Sequence, residues 1–431
     1  MFDERRQLVR EAMGPDAIAV FLGAKLATRS NDTDYRFRQD SDFWYLTGFA
    51  HPNAVAVLRT DGGPEYTLYV EPRNPESERW TGRRPGTEGA TLEYGADAAY
   101  ANVEFPSHLG EILSEAKRIY HVLGRDAAAD AKIIEKLEGM RLRSREGVVP
   151  ADAIFDPRSV VHEMRMKKEP AEIDIMARAA AITREAHTSA AKLAHDGTYE
   201  YELEAAIEYV FRRLGAAGPA YTTIVGGGSN ATVLHYIAND QPLRDGELVL
   251  IDAGSELEGY ASDVTRTYPV GGRFAGERRA VYELVLAAQA AALDLCKPGS
   301  TLGDIHEAAV HRIVEGLVDL RLLSGSVGDL IANEAYRRFY VHNTSHWLGL
   351  DVHDVGMYRV DGEHRTLEAG MVFTVEPGLY IPSDDEQVDP GFRGIGVRIE
   401  DDVVLTTEGH ENLTAAIPKA MGVVEALVAD G

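Results

Sequence analysis

The sequence predicts two domains: an α/β domain over residues 1–155, and an α+β domain over residues 156–431 in which a helix–helix–strand succession occurs twice. Three observations carry that prediction. At 431 residues the chain exceeds what one ordinary core supports, so two domains, or three, are expected. Up to about residue 155, short strand-like runs mix with helical patterns. Beyond that point two helices precede strand-rich segments, and the same order returns from Glu277.

In the first domain AIAVFLGA, AVAVLRT and EYTLYVEP read as strands, and SHLGEILSEAKR and AADAKIIEKLEGMR read as helices. The stretch REGVVPADAIFDPRSVV has little periodicity and two prolines. It marks the domain boundary to within about ten residues.

The second domain begins with the helix KKEPAEIDIMARAAAITREAHTSAAKLAH. Pro170 suits its first turn, and Glu172 and Asp174 complement the positive end of its dipole. A second helix, TYEYELEAAIEYVFRRLG, starts near Thr198 and closes at Gly215. A glycine-rich turn (VGGGSN), the strand ELVLIDAG, a short turn near Glu256 to Gly259 and the return strand YASDVTRTYPV follow. The second round opens with the helix RRAVYELVLAAQAAALDLC. The next helix, TLGDIHEAAVHRIVEGL, is capped by Thr301 with Asp304 three residues on. Strands are then expected in TSHWLGLDVHD, AGMVFTVEPGLYI and GIGVRIEDDVVLT. A duplicated unit of this kind builds a sheet backed by helices, with a cleft where the halves meet.

Composition narrows the function. Hydrophobic content of 45% and charged content of 26% are ordinary for a soluble globular enzyme. The longest apolar run, Val285 to Cys296, is interrupted by Gln289 and Asp294 and is too short to span a bilayer. The N-terminal MFDERRQLVREAMG lacks the apolar core of a signal peptide. Cys296 is the sole cysteine, which suits a reducing compartment and predicts the cytoplasm. A formal charge of −25 argues against nucleic acid or an anionic membrane as partner, because phosphate contacts need clustered Lys and Arg.

Most of the 69 acidic residues belong to a solvated surface, but a few lie inside apolar strands. In ELVLIDAG, Asp252 shares a strand face with Leu248 and Leu250, and Val249 and Ile251 make the other face apolar too. Across the turn Asp263 aligns with Thr265 and Thr267, and hairpin folding brings it near Asp252. Two carboxylates that close repel unless they share a proton or a cation. Glu376 ends the alternation Val372, Thr374, Glu376 before Pro377, and Glu400 faces the same way as Arg398. Each acid alone fits a cap, an exposed position or an ion pair with Arg266 or Arg398.

The segment HNTSHWLGLDVHDVG holds three histidines in fifteen positions, His342, His346 and His353. His342 and His346 have the spacing of a zinc-protease helix, but Asn343, Thr344 and Ser345 favour turns and extended chain. From His346 onward Leu348, Leu350 and Val352 alternate with Trp347, Gly349, Asp351 and His353, the period of a strand. Four strand-end carboxylates with such a segment suit hard or borderline cations such as Mn2+, Mg2+ or Co2+. Their charge nearly balances two divalent ions, and two metals about 3.5–4 Å apart are a hydrolytic arrangement.

The order Asp252, Asp263, His346, Glu376, Glu400 resembles the ligand set of the pita-bread metallopeptidases, which include methionine aminopeptidase, prolidase and aminopeptidase P. YTTIVGGGSNATVLHY, LIDAGSELEGYASDVTRT, SHWLGLDVHDVG, TVEPGLYI and GVRIEDD look like aminopeptidase P, and RFRQDSDFWYLTGF resembles the N-terminal domain of that family. The resemblance implies a pita-bread catalytic domain at 156–431, and at 1–155 a domain for oligomerisation and substrate access. It implies two divalent ions, manganese first, with Co2+ or Zn2+ as alternatives. Asp252 would chelate one ion, Asp263 and Glu400 bridge both, and His346 and Glu376 complete the second, with a bridging hydroxide as nucleophile and Glu376 as general base. His235 and His353 would contact substrate near the scissile carbonyl and His342 would line the same pocket, while Arg398 and Tyr380 support the ligands. Trp80, in RWTGRRPG, would reach a neighbouring subunit's active site, which implies a homodimer or homotetramer. The family has glycine where Asn343 stands, a position at which left-handed backbone is expected.

The implied reaction is release of the N-terminal residue from peptides with proline second. Such a bond has no N–H and a ring-restricted geometry, so the nucleophile must not depend on that hydrogen. A prolidase, limited to dipeptides, is the near alternative. A pita-bread binding module without catalysis and a metal-free relative of the creatinase type are remote ones.

Overall fold

In the computed structural model, which describes every residue except Asp61 and Glu115, the chain divides into two units, Met1–Met164 and Arg165–Gly431. The first is built on six strands: β1 Ala17–Leu22, β2 Val55–Arg59, β3 Tyr66–Val70, β4 Ala98–Ala101, β5 Arg118–Tyr120 and β6 Ala153–Phe155. They form one mixed sheet in the order β4-β3-β2-β1-β5-β6. β1 is buried from Ala17 to Phe21, as suits a central strand covered on both faces. Leu109 and Leu113 of the helix Phe105–Ser114, with Ile133 and Leu137 of Ala127–Leu142, pack on Ile18, Val20 and Val57. The aperiodic stretch before residue 156 contains β6, which becomes a strand by pairing with β5 rather than by pattern. In DSDFWYLTGF, Asp40 Oδ1 accepts the Phe43 amide at 2.8 Å and starts the helix Ser41–Thr47, and Gly48 ends it at φ 64°.

The second unit contains the helix–helix–strand succession twice. Pro170–Ala191 and Glu200–Arg213 precede β7 Ile224–Gly227, β8 Leu248–Asp252 and β9 Thr265–Pro269. Gly276–Leu293 and Leu302–Asp319 precede β10 Val372–Val375, β11 Gly378–Ile381, β12 Ile395–Arg398 and β13 Asp401–Leu405. The expected cap of the last helix forms reciprocally: Thr301 N donates to Asp304 Oδ2 at 2.8 Å, and Asp304 N donates to Thr301 Oγ at 3.1 Å. One core joins the halves, with Ile182, Ile207 and Phe211 from the first helices and Val285, Ile313 and Leu317 from the second meeting Val249, Ile251, Val397 and Ile399. Among the described residues no helix is long and apolar enough to cross a membrane.

Three expectations about local structure are corrected. VGGGSN is not simply a turn: its first residues complete β7, which pairs antiparallel with β8. Glycine suits Gly226 because the chain returns tightly behind it, where a Cβ would lie 2.9 Å from the Ala231 nitrogen. TSHWLGLDVHD does not form an extended strand. Trp347 makes a single bridge to Phe373, after which the chain folds back so that Asp354 N donates to Trp347 O at 2.9 Å. The buried Asp354 carboxylate fixes this fold, held by Arg165 Nη2 at 2.5 Å and Lys168 Nζ at 2.9 Å. Asn343, finally, is not among the residues with positive φ, so this turn makes no demand that only glycine meets.

AGMVFTVEPGLYI breaks after Glu376, where Pro377 is expected to end the pairing, and GIGVRIEDDVVLT, expected as one strand, breaks as well. β10 pairs with β13 and β11 with β12, and the breaks fall at Glu376–Pro377 and Ile399–Glu400. Pro377 has no N–H to continue a ladder. The freed amides turn outward: Glu376 N donates to Thr344 O at 2.8 Å and Glu400 N to Thr265 O at 3.1 Å.

Candidate metal centre

These breaks explain how side chains more than a hundred residues apart meet. β8 and β9 place Asp252 opposite Thr265, so Asp263, two residues before β9, lies just beyond the end of β8. The Glu376 and Glu400 amides tie their carboxylates to the segments carrying His346 and Asp263. Asp252, Asp263, His346, Glu376 and Glu400 all line one cavity of about 430 Å3. His235, His342, His353 and Arg398 line it as well, together with Leu234, Asn343, Ser345 and Tyr358. Tyr380 lies buried behind it, touching His342 and Arg398. Trp80 belongs to the first unit, on the helix Pro75–Thr81, and is 87% exposed.

The electrostatics of this cluster call for cations. Ligand atoms of Asp263, His346 and Glu400 lie within 4.8 Å of one another. Burial raises the carboxyl pKa of Asp252 and raises that of Glu400 far above the ordinary range, with neighbouring carboxylates adding to both. Glu376 is pushed up to about 7 by burial, which His346 and Arg398 only partly oppose. One imidazole and four carboxylates form the oxygen-rich donor set that divalent cations of borderline or hard character prefer. The residues therefore fit a metal centre.

His346 is pre-set as a ligand. Its Nδ1 donates to the Trp347 carbonyl at 3.0 Å, which leaves Nε2 to face Asp263 Oδ2 at 3.3 Å and Glu376 Oε1 at 3.5 Å. Burial lowers its pKa, but the hydrogen bond it donates to Asp263 and the charge of Glu376 overcome that and bring it up to about 9. His342 shows the opposite balance. Burial, then the Arg398 charge, holds it down to about 3, so it is a neutral imidazole. Its Nδ1 donates to Asn343 O at 2.7 Å and its Nε2 accepts from Tyr380 Oη at 2.8 Å. Tyr380 Oη in turn accepts from Arg398 Nη1 at 2.9 Å. Burial and then the His346 charge lower His353, whose ring lies 4.3 Å from that of His346.

Sequence reasoning missed several residues of the site. Tyr221 Oη lies 2.6 Å from Asp252 Oδ1 and 2.5 Å from Asp263 Oδ1, so it bridges two of the expected ligands. Thr265 Oγ donates to Glu400 Oε2 at 2.6 Å and accepts from Arg398 Nε at 2.9 Å. Both oxygens of the buried Asp402 accept from the Asp263 amide, at 3.1 and 3.2 Å. No periodic signal marks Tyr221, because it stands outside the strand that aims it. Thr265 had a signal, being one strand step from Thr267 on the face with Asp263.

Residues 174–407 match the model of metallopeptidase family M24, and residues 2–120 match that of the aminopeptidase P N-terminal domain. Over 429 residues the chain is 46% identical to the Xaa-Pro aminopeptidase of Escherichia coli K12, covering 99% of this chain and 97% of that protein. The structure resembles that of an aminopeptidase from Pseudomonas aeruginosa at TM-score 0.98 and 45% identity, covering 100% and 97% of the two chains. Aminopeptidase P from E. coli is similar at TM-score 0.96 and 46% identity, covering 100% and 98%.

Proposed function

Since the chain belongs to metallopeptidase family M24, in the branch with the aminopeptidase P N-terminal domain, and is a metalloaminopeptidase, we propose that it hydrolyses the N-terminal Xaa-Pro bond of peptides. The observation that carries this reading is the single cavity that gathers four strand-end carboxylates, His346 and three further histidines. Asp252, Asp263, His346, Glu376 and Glu400 would hold two divalent ions, manganese by preference with Co2+ or Zn2+ as alternatives. When bound, such ions would supply a hydroxide nucleophile and Lewis acidity at the carbonyl.

The chain's own groups do the rest. Glu376 holds and releases the proton of the attacking group as general base. His235 and His353, at the rim of the same cavity, stabilise the negative charge that develops on the carbonyl oxygen. His342 contributes an uncharged wall to the leaving-group pocket, as a proline ring requires, and Arg398 and Tyr380 keep it in place. Asp252 offers a carboxylate to the substrate's free amino group. Trp80, largely exposed, would complete the site of a neighbouring copy in a homodimer or homotetramer. The lone, buried Cys296 suits a reducing cytoplasm.

The test is an assay of Ala-Pro and Ala-Pro-Ala after EDTA stripping and Mn2+ addition. Mn2+-dependent cleavage of the tripeptide is expected. Cleavage of the dipeptide alone would move the assignment to prolidase, and cleavage of neither would overturn it.

A further inference from the structure

His235 stands on a long connection between β7 and β8 that contains no helix longer than the single turn Gly228–Thr232. Such a connection does not by itself hold an imidazole to a fixed place. The carboxylate of Glu200, the first residue of the helix Glu200–Arg213, ties it down on both sides of His235. Glu200 is 0% exposed and accepts four hydrogen bonds. Gly227 N at 2.7 Å and Asn230 Nδ2 at 2.9 Å come from before His235. Tyr236 Oη at 2.9 Å and Gln241 N at 2.9 Å come from after it.

Every one of these donors is neutral, so no buried cation balances the carboxylate. Its charge is carried by the four hydrogen bonds and by the positive end of its own helix. The Glu200 amide also donates back to Gln241 O at 3.0 Å. One helical turn later, Glu204 Oε2 accepts from Asn239 Nδ2 at 2.9 Å, and Asn239, at φ 47°, receives the Val225 amide on Oδ1 at 3.0 Å. Burial, then Glu200, push the Tyr236 phenol up to about 12, so it stays a donor.

A scaffold of average connections does not need a buried anion with four converging donors, since an apolar anchor would cost less. The donors bracket His235 on both sides, and Tyr236 is its immediate neighbour. We infer that Glu200 is a positioning residue that sets His235 over the reaction cavity. This rests on the substrate role proposed for His235. None of the five expected metal ligands lies on the segment 227–241, so the inference separates positioning of substrate from holding of metal.

The test is a double-mutant cycle on the full chain loaded with Mn2+, using Ala-Pro-Ala as substrate. Glu200→Gln keeps the shape but sets an amide donor against the donors of Tyr236 and Gln241. It should lower kcat about 10-fold or more, as a displaced catalytic group does, with little change in Mn2+ affinity. Tyr236→Phe, which removes one hydrogen bond and keeps the ring, should lower kcat about 3-fold and provides the same cycle if Glu200→Gln fails to fold. In a His235→Ala background either change should cost less than about 2-fold more. Equal losses in both backgrounds, or a parallel loss of Mn2+ affinity, would overturn the inference by showing a general structural role. Full activity of His235→Ala alone would overturn it too, by removing the role it rests on, whereas failure of wild type on every Xaa-Pro peptide would be a failure of the functional assignment.

Discussion

Arg398 donates from Nη2 to Asp252 Oδ2 at 2.5 Å, in an ion pair whose side chains are 4% and 11% exposed. The same guanidinium reaches Tyr380 Oη and Thr265 Oγ, each at 2.9 Å, so its fork fixes three directions at once. A lysine carries the charge without the fork. Arg398→Lys is therefore expected to lower metal affinity or kcat by about 10–100-fold, the usual cost of losing a partner of the ligands. Mn2+ titration beside steady-state kinetics checks it, and wild-type values in both would refute it.

His346 is the one imidazole among the expected ligands, and its Nδ1 bond to Trp347 O presents Nε2 to the carboxylates. Metal binding should stabilise the wild-type fold by about 3 kcal/mol at 100 times the dissociation constant. His346→Ala should lose most of that gain and nearly all peptidase activity. Thermal melts of EDTA-treated protein with and without Mn2+ give the measurement; an undiminished Mn2+ shift in the variant would count against the ligand set.

Asp354 lies between Arg165 and Lys168, with the Asp354 and Lys168 side chains each 1% exposed. Asp354→Ala takes this carboxylate from the buried Lys168, while Arg165 keeps Asp351 at 2.8 Å, and is expected to destabilise the second unit by about 3–5 kcal/mol. Because the lost carboxylate fixes the fold-back that carries His353, the variant should lose activity as well. Urea unfolding of the variant decides the first point, and a cost below about 1 kcal/mol would show the network to be idle.

His187 is 0% exposed, and burial holds its pKa down to about 4 from an ordinary 6.5. Its Nε2 donates to Ala253 O at 3.1 Å and its Nδ1 accepts from Tyr268 Oη at 3.2 Å, so the fold uses the neutral ring. The unfolded chain takes up the proton first as pH falls. The contribution is therefore complete above pH 6.5 and is lost as pH falls towards about 4. The full difference is about 3 kcal/mol. His187→Gln should flatten the fall in unfolding midpoint across that range, and an unchanged slope would exclude His187 as its source.

Much of this molecule was readable before any coordinates. Four long helices of the second unit follow from 3.6-residue periodicity and their start signals, as Thr301 with Asp304 shows. Asp252 and Glu376 stand out because a carboxylate at the end of an apolar alternation has to be compensated. Less readable was the break in GIGVRIEDDVVLT. Alternation runs straight through Val397 to Val403, and nothing local says that this strand changes partners at the level of Pro377.

The sequence by itself determined the two-part architecture, the candidate ligand residues in their order along the chain, and the family they resemble. These depend on periodicity, local capping and motif, all properties of neighbouring residues. Only the tertiary structure decided which groups hold those residues and the connection beside them: Tyr221 between Asp252 and Asp263, Thr265 against Glu400, and Glu200 on the His235 connection. It also turned the expected strand after His346 into a fold-back around Asp354. The reason is energetic. A buried charge must find donors wherever the chain can bring them, and that cost outweighs the small preference of any local pattern.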